Sequence, residues 1–337
     1  MARVSAALFV VGVAHAAGSR VHMSQHRMRV RGGARALMSE TPLPPPPMPA
    51  PPPAPVPVKL PPVSEGANAA GLKTITLTHA NGDSATLYTF GGCVTSYTHA
   101  GVETLKVRPD AKMDGSKPIS GGIPHCFPQF GPGAIQQHGF ARNLEWEVRS
   151  TDAGAEPSVC LRLADSPKTR DMWPYPFEAI YTVTLASDRL KTSLEVKNTG
   201  AEPFTFTAAL HSYFDISAVA NLKIEGNFKG SQYIDKTAKP PAELTAASDT
   251  ITISKETDSV YKGVSGELKL VDSGKGTQLA IECKQGWRDT VIWNPYGDQG
   301  MGYDSFVCAE AALAAFPFTL QPNVVWTGLM DLVSTKL

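Results

Sequence analysis

YTVTLASDRLKTSLEVKNTGAEPFTFTAAL, residues Tyr181 to Leu210, is the stretch that decides the fold. Three runs in it, YTVTLA, KTSLEVKN and FTFTAAL, alternate polar with apolar residues and are rich in Thr, Val and Phe. Side chains point alternately to the two faces of a strand, so a period of two marks a half-buried strand. Between the second and third runs lies Val196-Lys197-Asn198-Thr199-Gly200, whose Asn and Gly accept the backbone conformations of a turn. The pattern continues outward in both directions, through KTITLTH (73–79), SATLYTF (84–90) and LEWEVRS (144–150) on one side and TQLAIEC (277–283), TVIWNP (290–295) and VVWTGLM (324–330) on the other. No long amphipathic stretch runs without a breaker and no fixed-period repeat stands out, which leaves a propeller or solenoid without support. The expected fold is all-β, one large antiparallel β-sandwich over residues 63–337, although periodicity alone does not separate a sandwich from a barrel.

Composition supports a folded body with a different kind of leader. The chain has 337 residues, 42% hydrophobic and 18% charged, which excludes wholesale disorder. Its 31 Lys and Arg equal its 31 Asp and Glu, which removes the electrostatic case for nucleic acid as a partner. Residues 1–62 nevertheless hold seven basic side chains against the single acid Glu40, leaving the remainder mildly acidic. After Arg3 the apolar run AALFVVGVAHAA is too short to span a bilayer and ends in Ala14-His15-Ala16, a small-x-small cleavage pattern, so no stable membrane span is expected. Residues 18–38 carry five arginines and no acid, the composition of a transit peptide. The two signals in series make residues 1–41 a targeting leader, read as plastid-directed through the secretory pathway, with mitochondrial import or secretion as alternatives. Thirteen prolines crowd residues 42–62, a stiff polyproline II linker. Five scattered cysteines (Cys93, Cys126, Cys160, Cys283, Cys308) show no C-x-x-C pair or zinc spacing, so core thiols are expected and neither a structural metal nor a disulfide framework is.

Three segments could carry chemistry. Lys112 to Arg142, KMDGSKPISGGIPHCFPQFGPGAIQQHGFAR, has glycine and proline too often for a regular strand and reads as a long loop of the kind that walls a site; its polar set is Lys112, Lys117, His125, Gln137, His138 and Arg142. For His125 and the two lysines a turn-capping or solvated role is the stronger reading. His211 ends the apolar strand FTFTAAL at a sheet rim, where a histidine is either a bonded structural residue or a catalyst. Glu310 lies among apolar residues in FVCAEAA; burial raises a carboxyl pKa toward the range useful to a general base, and a salt bridge, for example to Arg142, is the bland alternative.

Taken in order, GGIPHCFPQFGPG with QHGFARNLEWEV, LHSYFDIS, SQYID, RDTVIWNP, and VCAEAA with FTLQPNVVWTG resemble the glucose-6-phosphate 1-epimerase (hexose-6-phosphate mutarotase) family within the aldose 1-epimerase superfamily, over about Leu72 to Leu332. The resemblance implies the galactose mutarotase-like supersandwich, with His211 as catalytic acid and Glu310 as catalytic base. It implies substrate binding by Gln137, Arg142 and Asp235, with His138 between the first two, and less firmly by Asp289. The implied reaction exchanges the anomers of a hexose 6-phosphate and moves only protons, so no cofactor or metal is expected, and the partner is a small sugar phosphate bound by a monomer. Where many members read R-G-G-I-P, with the arginine on the phosphate, this chain has Ser120-Gly121-Gly122-Ile123-Pro124. A hydroxyl cannot replace the charged, bidentate grip of a guanidinium, so Lys112, Lys117 or Arg142 is expected to supply charge beside Ser120. An epimerase acting on free hexose and a non-catalytic carbohydrate-binding module are the alternatives.

Overall fold

The computed structural model describes residues 60–337; the leader and almost all of the proline-rich segment lie outside the described residues. Three sheets are built from strands that pair antiparallel throughout. An N-terminal sheet of five strands runs in chain order from Val63–Ala67 to Val102–Glu103. The nine-stranded sheet has Phe177–Leu185, Leu190–Asn198, Val325–Lys336 and Thr277–Gln285 side by side at its centre. The eight-stranded sheet follows the order Ala242–Thr245, Gln232–Asp235, Thr257–Tyr261, Asp289–Asn294, Phe306–Leu320, Phe204–Leu210 and His125–Cys126, with Tyr213–Asp215 also pairing along Phe306–Cys308. Among the described residues helix is confined to three 3-10 turns and one six-residue α-helix, Pro167–Met172, started by a capping box in which Ser166 and Thr169 bond each other's backbone N–H. Among the described residues no helix is long and apolar enough to cross a membrane.

One hydrophobic core draws on all three sheets: Leu77, Leu87 and Tyr97 from the first, Val183, Leu194 and Leu332 from the second, Phe206, Ile292 and Val307 from the third. The alternation of strands sorts the third sheet into two faces. Along Phe306–Leu320, Val307, Ala309, Ala311 and Leu313 enter the large core, whereas Phe306, Cys308 and Ala312 belong to smaller clusters on the opposite side. Likewise Ile292 and Tyr261 join the core while Val291 and Val260 face away from it. Glu310, with the parity of Cys308, therefore belongs to that second face.

Candidate active site

In-register pairing lays polar side chains across the second face in rows. Asp258 stands opposite Trp293, Trp293 opposite Cys308, and Cys308 opposite Tyr213. In the next row Val260 stands opposite Val291 and Val291 opposite Glu310. His211 continues the face of Ala209 past the end of Phe204–Leu210, and its backbone N–H donates to the Pro124 carbonyl at 2.9 Å, which pins the rim of the sheet to the long loop. The result is a polar cavity of about 240 Å³, floored by His211, Glu310 and Tyr213 and walled by Arg108, Ser120, Gln137, His138, Arg142, Lys236, Asp258 and Trp293.

His211 Nδ1 lies 3.1 Å from Glu310 Oε1, and Glu310 is 1% exposed. The contact is close but not aligned as a hydrogen bond, so among the described residues His211 Nδ1 has no bonded partner, and neither does Glu310 Oε2. Buried polar atoms are seldom left so, and two together in a cavity mark a place where a ligand is bonded. The His211 ring is clamped by Tyr213, stacked at 4.9 Å and 14°, and by the edge of Trp293 at 5.9 Å and 90°. Burial, reinforced by the charge of Asp258, pushes the Glu310 carboxyl well above its ordinary range, against the pull of Lys236 and Arg142. Burial and the nearby His138, Arg142 and Lys236 hold the His211 imidazole well below its own. Burial thus favours the neutral form of both members of the pair. His138 is different in kind: burial, Arg142 and Lys236 lower it to about 3, and its Nδ1 accepts the Gly131 N–H at 3.2 Å with Cys126 Sγ at 3.1 Å. On its other side the His138 ring places Nε2 3.3 Å from the Gln137 amide nitrogen. His211, Cys308 and Glu310 offer ligand atoms within 4.8 Å of one another, so an ion seated there would block both members of the pair.

Residues 73–332 match the family model described as aldose 1-epimerase. The chain belongs to the aldose 1-epimerase family. A relative in Cenchrus ciliaris named "Putative glucose-6-phosphate 1-epimerase" is 31% identical over 282 residues, covering 78% of this chain and 85% of that one. One of the same name in Escherichia coli K12 is 33% identical over 210 residues, covering 58% and 68%. The crystal structure of a "putative mutarotase" from Salmonella typhimurium superposes with a TM-score of 0.74 at 26% identity, over 82% of this chain and 95% of that one. The protein is accordingly an isomerase with the galactose mutarotase-like sandwich, as the strand pattern and the resemblance led one to expect.

Of the residues singled out in the sequence, the enzyme brings His211, Glu310, Gln137, His138, Arg142 and Ser120 together around one cavity. It does not bring Asp235 there. Asp235 pairs with Ser259 in a row between the rows of the second face, and its Oδ1 is taken by the Thr237 N–H and hydroxyl. Asp289 also departs from expectation: it is buried, but its oxygens accept the N–H groups of Gly263, Ala314 and Ala315, so it braces the sheet. Lys112 and Lys117 are exposed and absent from the lining, where Arg108 and Lys236 stand instead. The long loop is interrupted by the short strand His125–Cys126, and His125 stacks on Trp146 and meets Tyr181 edge-on inside the core. All five cysteines are free, and Cys160 alone of them is partly exposed. Arg108, Tyr213, Lys236, Asp258 and Trp293 were not assigned from sequence; parity with Glu310 through the strand pairing identifies three of them, but that needs the register, which a lone sequence does not contain.

Proposed function

We propose that the enzyme interconverts the α and β anomers of a hexose 6-phosphate, with His211 and Glu310 as the proton-transfer pair. The observation that carries this reading is their 3.1 Å approach on the floor of a polar cavity, where burial pushes the carboxyl up and the imidazole down. Ionised Glu310 takes the proton of the anomeric hydroxyl while protonated His211 gives one to the ring oxygen; the C1–O5 bond opens, C1–C2 rotates, and reclosure on the other face returns both protons. This ionic form has the same proton count as a neutral carboxyl beside a neutral imidazole, so it requires only that a proton cross from one to the other; Lys236 and Arg142 stabilise the carboxylate and oppose the imidazolium, so their charges act on the two ends of that shift in opposite senses. One acid and one base contribute about 10²- to 10⁴-fold each, adequate for a reaction that already runs slowly in water. The phosphate preference is supported by Arg108, Arg142 and Lys236 in the lining against Asp258 and Glu310, an excess of positive charge suited to an anion.

NMR exchange between anomers tests this directly. Glu310→Gln and His211→Asn are each expected to lower kcat by about 100-fold or more with the fold intact. Near-normal exchange by purified Glu310→Gln overturns the assignment, and binding of sugar without exchange makes the protein a carbohydrate-binding module. Serine at position 120 favours one second reading, an aldose 1-epimerase acting on free hexose, which the ratio of kcat/KM for glucose 6-phosphate and glucose decides. We further propose that residues 1–41 direct the enzyme to a plastid; a reporter fused to residues 1–62 that stays cytosolic counts against it.

A further inference from the structure

We infer that Arg108 is the guanidinium that grips the phosphate, standing in for the arginine that position 120 lacks, and that the bound anion takes the place of Asp110 on it. The inference rests on the sugar-phosphate reading above. The backbone places the two positions side by side: Val107 bridges Gly121, the Arg108 N–H donates to the Ser120 carbonyl at 2.9 Å, and the Gly122 N–H donates to Lys106 at 2.8 Å. Such close approach requires the two glycines, because a Cβ at Gly121 would overlap the Val107 backbone and one at Gly122 the Val94 carbonyl oxygen. Arg108 and Ser120 then open into the same cavity from facing segments. A guanidinium lost from one segment can thus be supplied by the other, at the same end of the site.

The three cations of the cavity are not equivalent. The charges of Arg142 and Lys236 bear on both His211 and Glu310, so they belong to the reacting end. Lys236 is also held by Asp258 at 3.0 Å, and Arg142 Nη2 donates to the Gln137 carbonyl at 2.9 Å. Arg108 bears on Tyr213 and Cys308, the neighbouring row, and not on His211 or Glu310, while Arg142 reaches Tyr213 as well. Rows on one face of a strand are about 7 Å apart, the scale of the pendant arm that carries a 6-phosphate away from the ring oxygen. The Arg108 side chain is 11% exposed, and its Nε and Nη2 form a fork on the two oxygens of Asp110 at 2.9 and 2.5 Å. Asp110 itself is 45% exposed, so it is a replaceable partner, and a phosphate presents the same two-oxygen geometry to that fork.

The test uses the full chain, with glucose 6-phosphate, glucose and inorganic phosphate as probes. Arg108→Gln is expected to lower the kcat/KM ratio of glucose 6-phosphate over glucose about 10- to 100-fold, the range for losing a hydrogen bond to a charged partner, and to weaken competitive inhibition by inorganic phosphate similarly. Adding Ser120→Arg to that variant is expected to restore most of the ratio. Asp110→Asn, which removes the competing carboxylate, is expected to tighten phosphate inhibition about two- to fivefold. An unchanged ratio in Arg108→Gln with wild-type exchange intact overturns the inference and leaves the epimerase reading standing. Wild-type protein that exchanges no anomers overturns the epimerase reading, and calorimetric binding of inorganic phosphate to wild type and Arg108→Gln then still decides the role of Arg108, equal affinity counting against it.

Discussion

Glu310 and His211 are displaced in opposite directions from their ordinary pKa values, and burial is the leading cause of both. The one-proton state of the pair therefore spans a window bounded below by the lowered imidazole and above by the raised carboxyl. The profile of kcat against pH is expected to be flat through neutrality, to fall on the acid side only below the usual histidine range, and to fall on the alkaline side above the usual carboxyl range. A single limb near an ordinary histidine pKa would contradict it. His125 has the same lowered pKa without a catalytic consequence: burial takes it to about 4 from 6.5. The unfolded chain binds a proton between those values and the folded one does not, so stability is complete above pH 6.5 and is lost as pH falls toward 4, by about 3 kcal/mol from this residue. Urea midpoints at pH 7 and pH 4.5 check the loss, which His125→Gln should reduce. His211 and Glu310 were legible in the sequence because each sits in an apolar run where a polar residue calls for a reason. Lys112 and Lys117 misled because a lysine in a glycine-rich loop looks the same whether it meets a cavity or solvent.

At the scale of elements, the strand Phe306–Leu320 shows what periodicity reveals and what it hides. Alternation puts Glu310 on the face opposite Val307 and Ala309, as a strand reading requires. It does not show that pairing with Phe204–Leu210 slips between Phe206 and Ala208, so that Phe206 meets Phe318 while Ala208 meets Leu313. The extra residues leave backbone donors without a ladder partner, and Asp289 accepts two of them, from Ala314 at 2.9 Å and Ala315 at 2.8 Å. Bulges are set by tertiary demand, so a carboxylate committed to one resembles a binding residue until the register is known. Asp289→Ala would take the acceptor from three backbone donors, those of Ala314 and Ala315 half-buried and that of Gly263 exposed, and is expected to destabilise the fold by about 2 kcal/mol, read as a lower Tm, with the KM of the remaining folded enzyme within about twofold of wild type. A large rise in KM with unchanged Tm would return Asp289 to the substrate site.

For the whole molecule, the question is which parts depend on one another. The N-terminal five-stranded sheet is a sequential meander and could be taken for a separable unit, but Leu77, Leu87, Val94 and Tyr97 are each 0% exposed within the core shared with the other two sheets. It also touches the site, since Ile123 donates to the Val94 carbonyl at 2.8 Å just ahead of Pro124, on which His211 is hung. Residues 60–337 are therefore expected to unfold in one cooperative transition, with calorimetric and van't Hoff enthalpies equal. Deleting residues 60–104 removes apolar burial comparable with the whole net stability of a domain, about 5–15 kcal/mol, and is expected to yield no folded protein. Deleting residues 1–59 is expected to do nothing of the kind, because the first strand, Val63–Ala67, finds its partner within the body, pairing Val63 with Leu77 through Ala67 with Lys73. That variant should keep the Tm within about 1 °C and the kcat/KM within about twofold of the full chain, as surface changes away from packed features do. A drop in Tm of several degrees on removing only residues 1–59 would show that this segment contributes to the stability of the folded enzyme.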